Sequence, residues 1–160
     1  MLLVEDEIRL FASHSQFYIV DDVKRLCTAG EATFWTKEAC DRRLAVGKSL
    51  LAIGTGSFAM VRVRVEKHDS MPAVEIALWD HVTEAGLEVE AKLLLIMGCL
   101  SNSGLFFEVE PAHYRVRACH ANLAESEQEV PSNWTGEFHD WYLLQFWPSV
   151  PSEPHVLKHR

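Results

Sequence analysis

The stretch Phe58-Ala59-Met60-Val61-Arg62-Val63-Arg64-Val65-Glu66 decides the fold class. Three valines fall on every second residue, and charges occupy the positions between them. In an extended chain, successive side chains point to opposite faces. The valines therefore share one face, the charges share the other, and the segment is a strand with one side against a core. The same period of two recurs outward in both directions. Glu7 to Ala12 alternates through Ile8, Leu10 and Ala12, and Phe17 to Val20 follows a short polar break. Ser49 to Thr55 and Val74 to Trp79 read the same way. Leu87, Val89 and Ala91 alternate with Glu88, Glu90 and Lys92 after a turn-like Glu84-Ala85-Gly86. Phe106 to Glu110 and Tyr114 to Cys119 make another pair, and Asp140 to Trp147 sets Tyr142, Leu144 and Phe146 against Trp141, Leu143 and Trp147.

Eight or nine strands at this spacing, joined by short turns, predict an all-β, antiparallel two-layer β-sandwich. One segment breaks the alternation. Thr36 is a good N-cap, Glu38 sits in the first turn, and Arg42 and Arg43 precede Gly47. That pattern predicts one short helix near residues 36–45. No βαβ rhythm appears, which argues against parallel strands. Residues 1–147 are expected to form one sandwich domain. Residues 148–160, with Pro148, Pro151 and Pro154, are expected to be an extended tail outside it.

The chain has 160 residues, 48% hydrophobic and 24% charged, which excludes disordered and collagen-like classes. Its 23 acidic side chains against 15 basic ones give a formal net charge of −8. Direct nucleic-acid binding and anionic membranes both call for a basic face, so neither is expected. The acidity is concentrated. Residues 1–22 carry Glu5, Asp6, Glu7, Asp21 and Asp22 against Arg9, and residues 121–140 carry Glu125, Glu127, Glu129, Glu137 and Asp140 with no Lys or Arg. Such segments are either solvated loops or an acidic face for a basic protein. Trp134, inside the second segment, has the chemistry of an interface anchor. No secretory leader is read at Met1–Leu10 and no membrane-length apolar run occurs; the longest, Leu93 to Met97, ends at Gly98. Cys27, Cys40, Cys99 and Cys119 show no CxxC spacing, so a reducing, cytoplasmic setting is expected.

Catalytic motifs are scarce. Gly54-Thr55-Gly56-Ser57 lacks the Lys of a phosphate loop and reads as a hairpin turn. Ser13-His14-Ser15 would place its side chains on alternate faces of a strand, which rules out a direct relay. Eight scattered histidines offer no metal-ligand spacing, so no metal or other cofactor is expected. Asp80, His81 and Glu84 read as a turn-side hydrogen-bonding group.

Short patches carry a family likeness. His14-Ser15-Gln16-Phe17 closing one strand, Trp35-Thr36 opening a helix, and His81-Val82-Thr83-Glu84 followed by a glycine resemble the competence J family of DNA-entry nuclease inhibitors. The likeness runs over about residues 7–120 and the strand at 141–147. The acidic stretch 121–140 and the tail depart from the family pattern. The resemblance implies a non-enzymatic inhibitor or immunity-type partner of a nuclease. The family pattern names no inhibitory residues; the charge pattern and the interface chemistry of tryptophan point to Glu125, Glu127, Glu129, Trp134 and Glu137 as contacts for a basic protein, such as a nuclease. The alternative is a small-molecule-binding sandwich with a pocket near Trp79 and His81, or a homo-oligomeric structural protein. A homodimer would pair the valine-rich Phe58–Glu66 strand across a two-fold.

Overall fold

A computed structural model of the chain describes residues 1–100, 104–127 and 140–160. Two β-sheets face each other. The first has six strands: β1 (Leu2–Phe11), β5 (Met60–His68), β10 (Trp141–Pro148), β9 (Ala112–Ala121), β6 (His81–Val89) and β11 (His155–Lys158), in that spatial order. The second has five: β3 (Leu44–Gly47), β4 (Leu50–Gly54), β2 (Gln16–Val20), β7 (Leu93–Gly98) and β8 (Gly104–Glu108). The all-β sandwich is thus borne out, with the strand alternation explaining the core. Val61, Val63 and Val65 of β5 meet Tyr142, Leu144 and Phe146 of β10, and both pack on Phe17, Ile53 and Ile96 of the facing sheet.

Several elements differ from the sequence reading. The helix is shorter than expected: α1 covers Lys37–Asp41, capped by Thr36 Oγ1 accepting from Ala39 N at 3.1 Å. Residues 44–47 leave it to pair with β4 as β3. A second helix, α2, spans Leu123–Glu127. Val74 to Trp79 is no strand. Ile76–Leu78 forms a 3₁₀ turn, and the alternating Val74 and Ile76 cover Trp79 and Trp141 on the outer face of the six-stranded sheet. Glu84-Ala85-Gly86 is not a turn but the middle of β6. The Gly54–Ser57 link is no hairpin either, because β4 and β5 belong to different sheets. One pair, β5 with β10, is parallel, so the larger sheet is mixed. Each of the two strands runs antiparallel to its other neighbour, β5 to β1 and β10 to β9.

The valine-rich strand is interior, hydrogen-bonded to β1 on one side and β10 on the other, and has no edge to offer a second copy. The last residues are also not outside the fold. β11 pairs with β6 and closes the sheet edge. A polar row explains its place. Glu66, Gln145, Arg117, Glu84 and His155 stand opposite one another on five adjacent strands. Gln145 Nε2 donates to Glu66 at 2.9 Å, and Arg117 donates to Gln145 at 3.0 Å and to Glu84 at 2.7 Å. Arg115 also donates to Glu84 through Nε, and its Nη1 reaches Ser152 O, Ser152 Oγ and Glu153 O. Buried guanidiniums must find acceptors, and the C-terminal segment supplies them. No helix among the described residues is long and apolar enough to cross a membrane.

Candidate functional site

One end of the sandwich gathers most of the chain's unusual chemistry. There the link from β4 to β5 crosses between sheets at Gly56. Gly56 N and Ser57 N donate to Asp140 Oδ2 at 3.0 and 3.3 Å, and Ser57 Oγ donates to Asp140 Oδ1 at 2.5 Å. Tyr142 Oη donates to the same carboxylate. The glycine-rich turn therefore does cradle an anion, and the anion is internal. Asp140 is fully buried, so it adds nothing to an acidic surface. Burial and the neighbouring Asp140 charge push the Tyr142 phenol well above its usual value, which keeps it a donor.

Beside this turn lies a cleft of about 320 Å³ lined by His14, Ser15, Gln16, Trp35, Cys40, Arg43, Gly54 and Thr55. Residues Ser13–Ser15 form a 3₁₀ turn rather than a strand end, so the alternate-face argument against a Ser–His contact fails. Ser13 Oγ and His14 Nδ1 are 3.0 Å apart. Trp35 donates its indole N–H to Gln16 Oε1 at 2.7 Å, fixing the ring on the cleft wall. His14, Ser15 and Arg43 have φ of 57°, 54° and 55°, a left-handed backbone that costs a non-glycine residue about 1 kcal/mol or more. Five such residues occur among those described, and three of them line this cleft.

Behind the cleft, on the inner face, His81, His120 and Tyr142 stand in register on β6, β9 and β10. The His81 and His120 rings meet edge to face at 5.0 Å, and His159 lies 5.3 Å from His81. His81 Nε2 hydrogen-bonds Arg42 O at 3.0 Å, whereas neither ring nitrogen of His120 has a hydrogen-bond partner among the described residues. Burial pushes both histidines below the usual imidazole value, His120 by a wide margin, and the Arg43 charge adds to the effect.

The residues singled out from sequence fall in different places. Trp79 is nearly buried, its ring 4.7 Å from that of Trp141, and His81 is wholly buried; neither lines the cleft. Glu84 is on the outer face, away from His81, and Asp80 accepts from Leu123 N at 2.9 Å at the start of α2. Glu125 is exposed on α2. Glu129, Trp134 and Glu137 lie outside the described residues, as does the side chain of Glu127. Both flanks of their segment are anchored beside the cleft, because Leu123 and Ser126 of α2 and Asp140 all pack against Gly56.

The other acidic group is largely absorbed by structure. Glu5 pairs with Arg64 and Glu7 with Arg62, each at 2.9 Å. Asp21 accepts from Glu90 N and Asp22 from Lys24 N. An acidic face at the N-terminal strand is therefore not what the fold builds. His14, Gln16, Trp35 and Arg43 were not legible as one site. They come from the 3₁₀ turn, the start of β2 and the two links that flank α1, and only the family patches at 14–17 and 35–36 hinted at them.

With this geometry in view, two solved structures are informative. ComJ from Bacillus subtilis, an inhibitor of the DNA-degrading activity of NucA, superposes with a TM-score of 0.69 and 15% identity, over 93% of this chain and 99% of its own. This chain has the ComJ fold. The second, the product of crocagin biosynthetic gene J, matches with a TM-score of 0.59 and 23% identity, over 92% of this chain and 100% of its own. No family model matches the sequence, and no curated protein matches it significantly. The family resemblance carried by the short motifs is met at the level of the fold.

Proposed function

We propose that this chain is a non-enzymatic inhibitor of a DNA-degrading enzyme, acting by binding it. The observation that carries this is the end-to-end likeness to a nuclease inhibitor, spanning 93% of this chain and 99% of ComJ. The charge pattern supports the mode of action. Nucleases hold phosphates with cationic groups, and carboxylates steered to such a site block it while raising the association rate. The contact surface is the acidic stretch with Glu125, Glu127, Glu129 and Glu137, anchored by Trp134. It needs no cofactor, and its setting is the cytoplasm, where a nuclease would endanger the cell's own DNA.

The test is a plasmid-degradation assay with purified chain added to the nuclease encoded nearest its gene. Expected is stoichiometric inhibition that weakens with salt. Exchange of the four glutamates for glutamine should weaken it about tenfold or more, that is by about 1.4 kcal/mol. No nuclease bound or slowed at low salt would refute the role. Full inhibition by the glutamine variant would refute the surface alone.

A further inference from the structure

The outer face of the five-stranded sheet carries an apolar ladder that stops at an open edge. Gly47, Leu50, Val20, Leu95 and Phe106 stand opposite one another on β3, β4, β2, β7 and β8. Leu50 and Val20 are wholly buried, Leu95 is half-buried, and Phe106 at the end is 65% exposed. A large aromatic ring left on the rim of a sheet is the kind of group that anchors an interface.

The backbone at that edge is open as well. Val109 N donates to Lys92 O at 3.0 Å, so the ladder of β8 with β7 turns the backbone groups of Leu105 and Phe107 toward β7. Those of Gly104, Phe106 and Glu108 point away from the sheet, and among the described residues no strand pairs with β8 on that side. The other three sheet edges are guarded, as edges of folded proteins usually are. β1 carries Glu5-Asp6-Glu7, and Asp6 Oδ1 takes the Glu7 N–H at 2.8 Å. β3 is four residues long, and Arg42 Nε donates to Leu44 O at 2.7 Å. β11 is equally short and carries His155 and Lys158. β8, Gly104-Leu105-Phe106-Phe107-Glu108, has one charge, at its end.

We propose that β8 pairs antiparallel with β8 of a second copy of the chain, across a two-fold axis at Phe106. In this register Phe106 faces Phe106, Leu105 faces Phe107, and Gly104 faces Glu108. Every apolar side chain meets an apolar one, and neither glutamate meets another charge. Phe106 points its backbone outward, so it exchanges both hydrogen bonds with its twin, and Gly104 does the same with Glu108. Moving the axis to Phe107 would set Phe106 against Glu108 and lose the aromatic pair. The apolar ladder then runs unbroken from Val20 of one protomer, through both Phe106 rings, to Val20 of the other. The match needs no foreign sequence, which selects a second copy as the occupant.

Five residues a side make a small contact, so the expected dissociation constant is on the order of 10 μM. Each copy has a net charge of −8, so added salt should strengthen the dimer by screening repulsion. That is the reverse of the salt effect expected for the nuclease contact, and neither reading depends on the other. The test is sedimentation equilibrium of the full-length chain from about 1 to 300 μM, at low and at high salt. Expected is a monomer–dimer equilibrium that moves to dimer with concentration and with salt. Phe106→Lys puts a charge at the centre of the pairing and should raise the dissociation constant about tenfold or more, whereas Phe106→Tyr should keep it. Because Phe106 is exposed, both variants are expected to keep the wild-type urea midpoint. Amide hydrogen exchange reads the strand pairing itself. Protection of Phe106 and Glu108 should rise with concentration, while Leu105 and Phe107 are protected throughout. A chain that stays monomeric at the highest concentration, a dimer indifferent to Phe106→Lys, or exchange at Phe106 that ignores concentration would overturn the proposal.

Discussion

Glu84 and Glu5 are both carboxylates paired with arginine, and their surroundings give them different weight. Glu5 and Arg64 are each about two-fifths exposed, as are Glu7 and Arg62. Such pairs contribute about 0–1 kcal/mol, because water screens the attraction and two long side chains lose freedom. Glu84 is 6% exposed and accepts from both Arg115 and Arg117, which are 5% and 3% exposed. Removing its charge strands two guanidiniums in a place they cannot leave, and breaking such a pair costs about 3–5 kcal/mol. Glu84→Gln is therefore expected to lower the urea midpoint sharply, whereas Glu5→Gln should leave it nearly unchanged. Equal effects in a side-by-side urea titration would show that the shared carboxylate carries no special load. The same comparison explains why charge counts from sequence misjudged the N-terminal acids. Counting signs cannot show that Arg62 and Arg64 stand diagonally across from Glu7 and Glu5.

At the scale of elements, the strands that read clearly have one face in the core and the other toward charge, as β5 does. The ones that went unread fail that condition for physical reasons. β7 is a continuous apolar run, Leu93 to Met97, because Leu94 and Ile96 enter the main core while Leu95 and Met97 pack on a second cluster behind the sheet. β3 was hidden in a helix-like stretch, and β11 by the prolines before it. Val74 to Trp79 alternates without pairing, because covering a sheet face asks for apolar residues just as lining a core does. The parallel pairing of β10 and the assembly of the cleft depend on contacts between residues far apart in sequence, which no local period encodes. The C-terminal strand gives the sharpest contrast between the two views. Residues 149–160 supply the partners of Arg115 and the outer edge of β6. Ending the chain at Pro148 should lower the melting temperature by about 4 °C or more, equivalent to roughly 1–2 kcal/mol for a domain of this size. An appendage outside the fold would leave the melting curve where it was, and a scanning calorimetry trace distinguishes the two.

Across the whole molecule, the two sheets close on an inner row that ends in His81, His120 and Tyr142, and this row links stability to pH. Among the described residues, His120 is fully buried with no hydrogen-bond partner for either nitrogen, and the groups that face it are His81, Tyr142 and the Arg43 charge. None of these welcomes a second positive charge. In the unfolded chain the imidazole takes a proton near its usual value of about 6.5. In the folded chain burial holds the proton off until a much lower pH. The unfolded state thus binds more protons as the pH falls below about 6.5. The contribution of His120 is complete above that value and declines below it, at about 1.4 kcal/mol per pH unit. His81 adds to the same trend, its value lowered by burial, although its bond to Arg42 O opposes the shift. Urea midpoints measured from pH 7.5 down to 5.5 should fall steadily for the wild type. His120→Phe retains a ring between His81 and Tyr142 and has no proton to take, so its midpoint should depend less on pH over the same interval. An identical slope in the two proteins would assign the acid sensitivity to other groups, with the carboxylates as the first to examine.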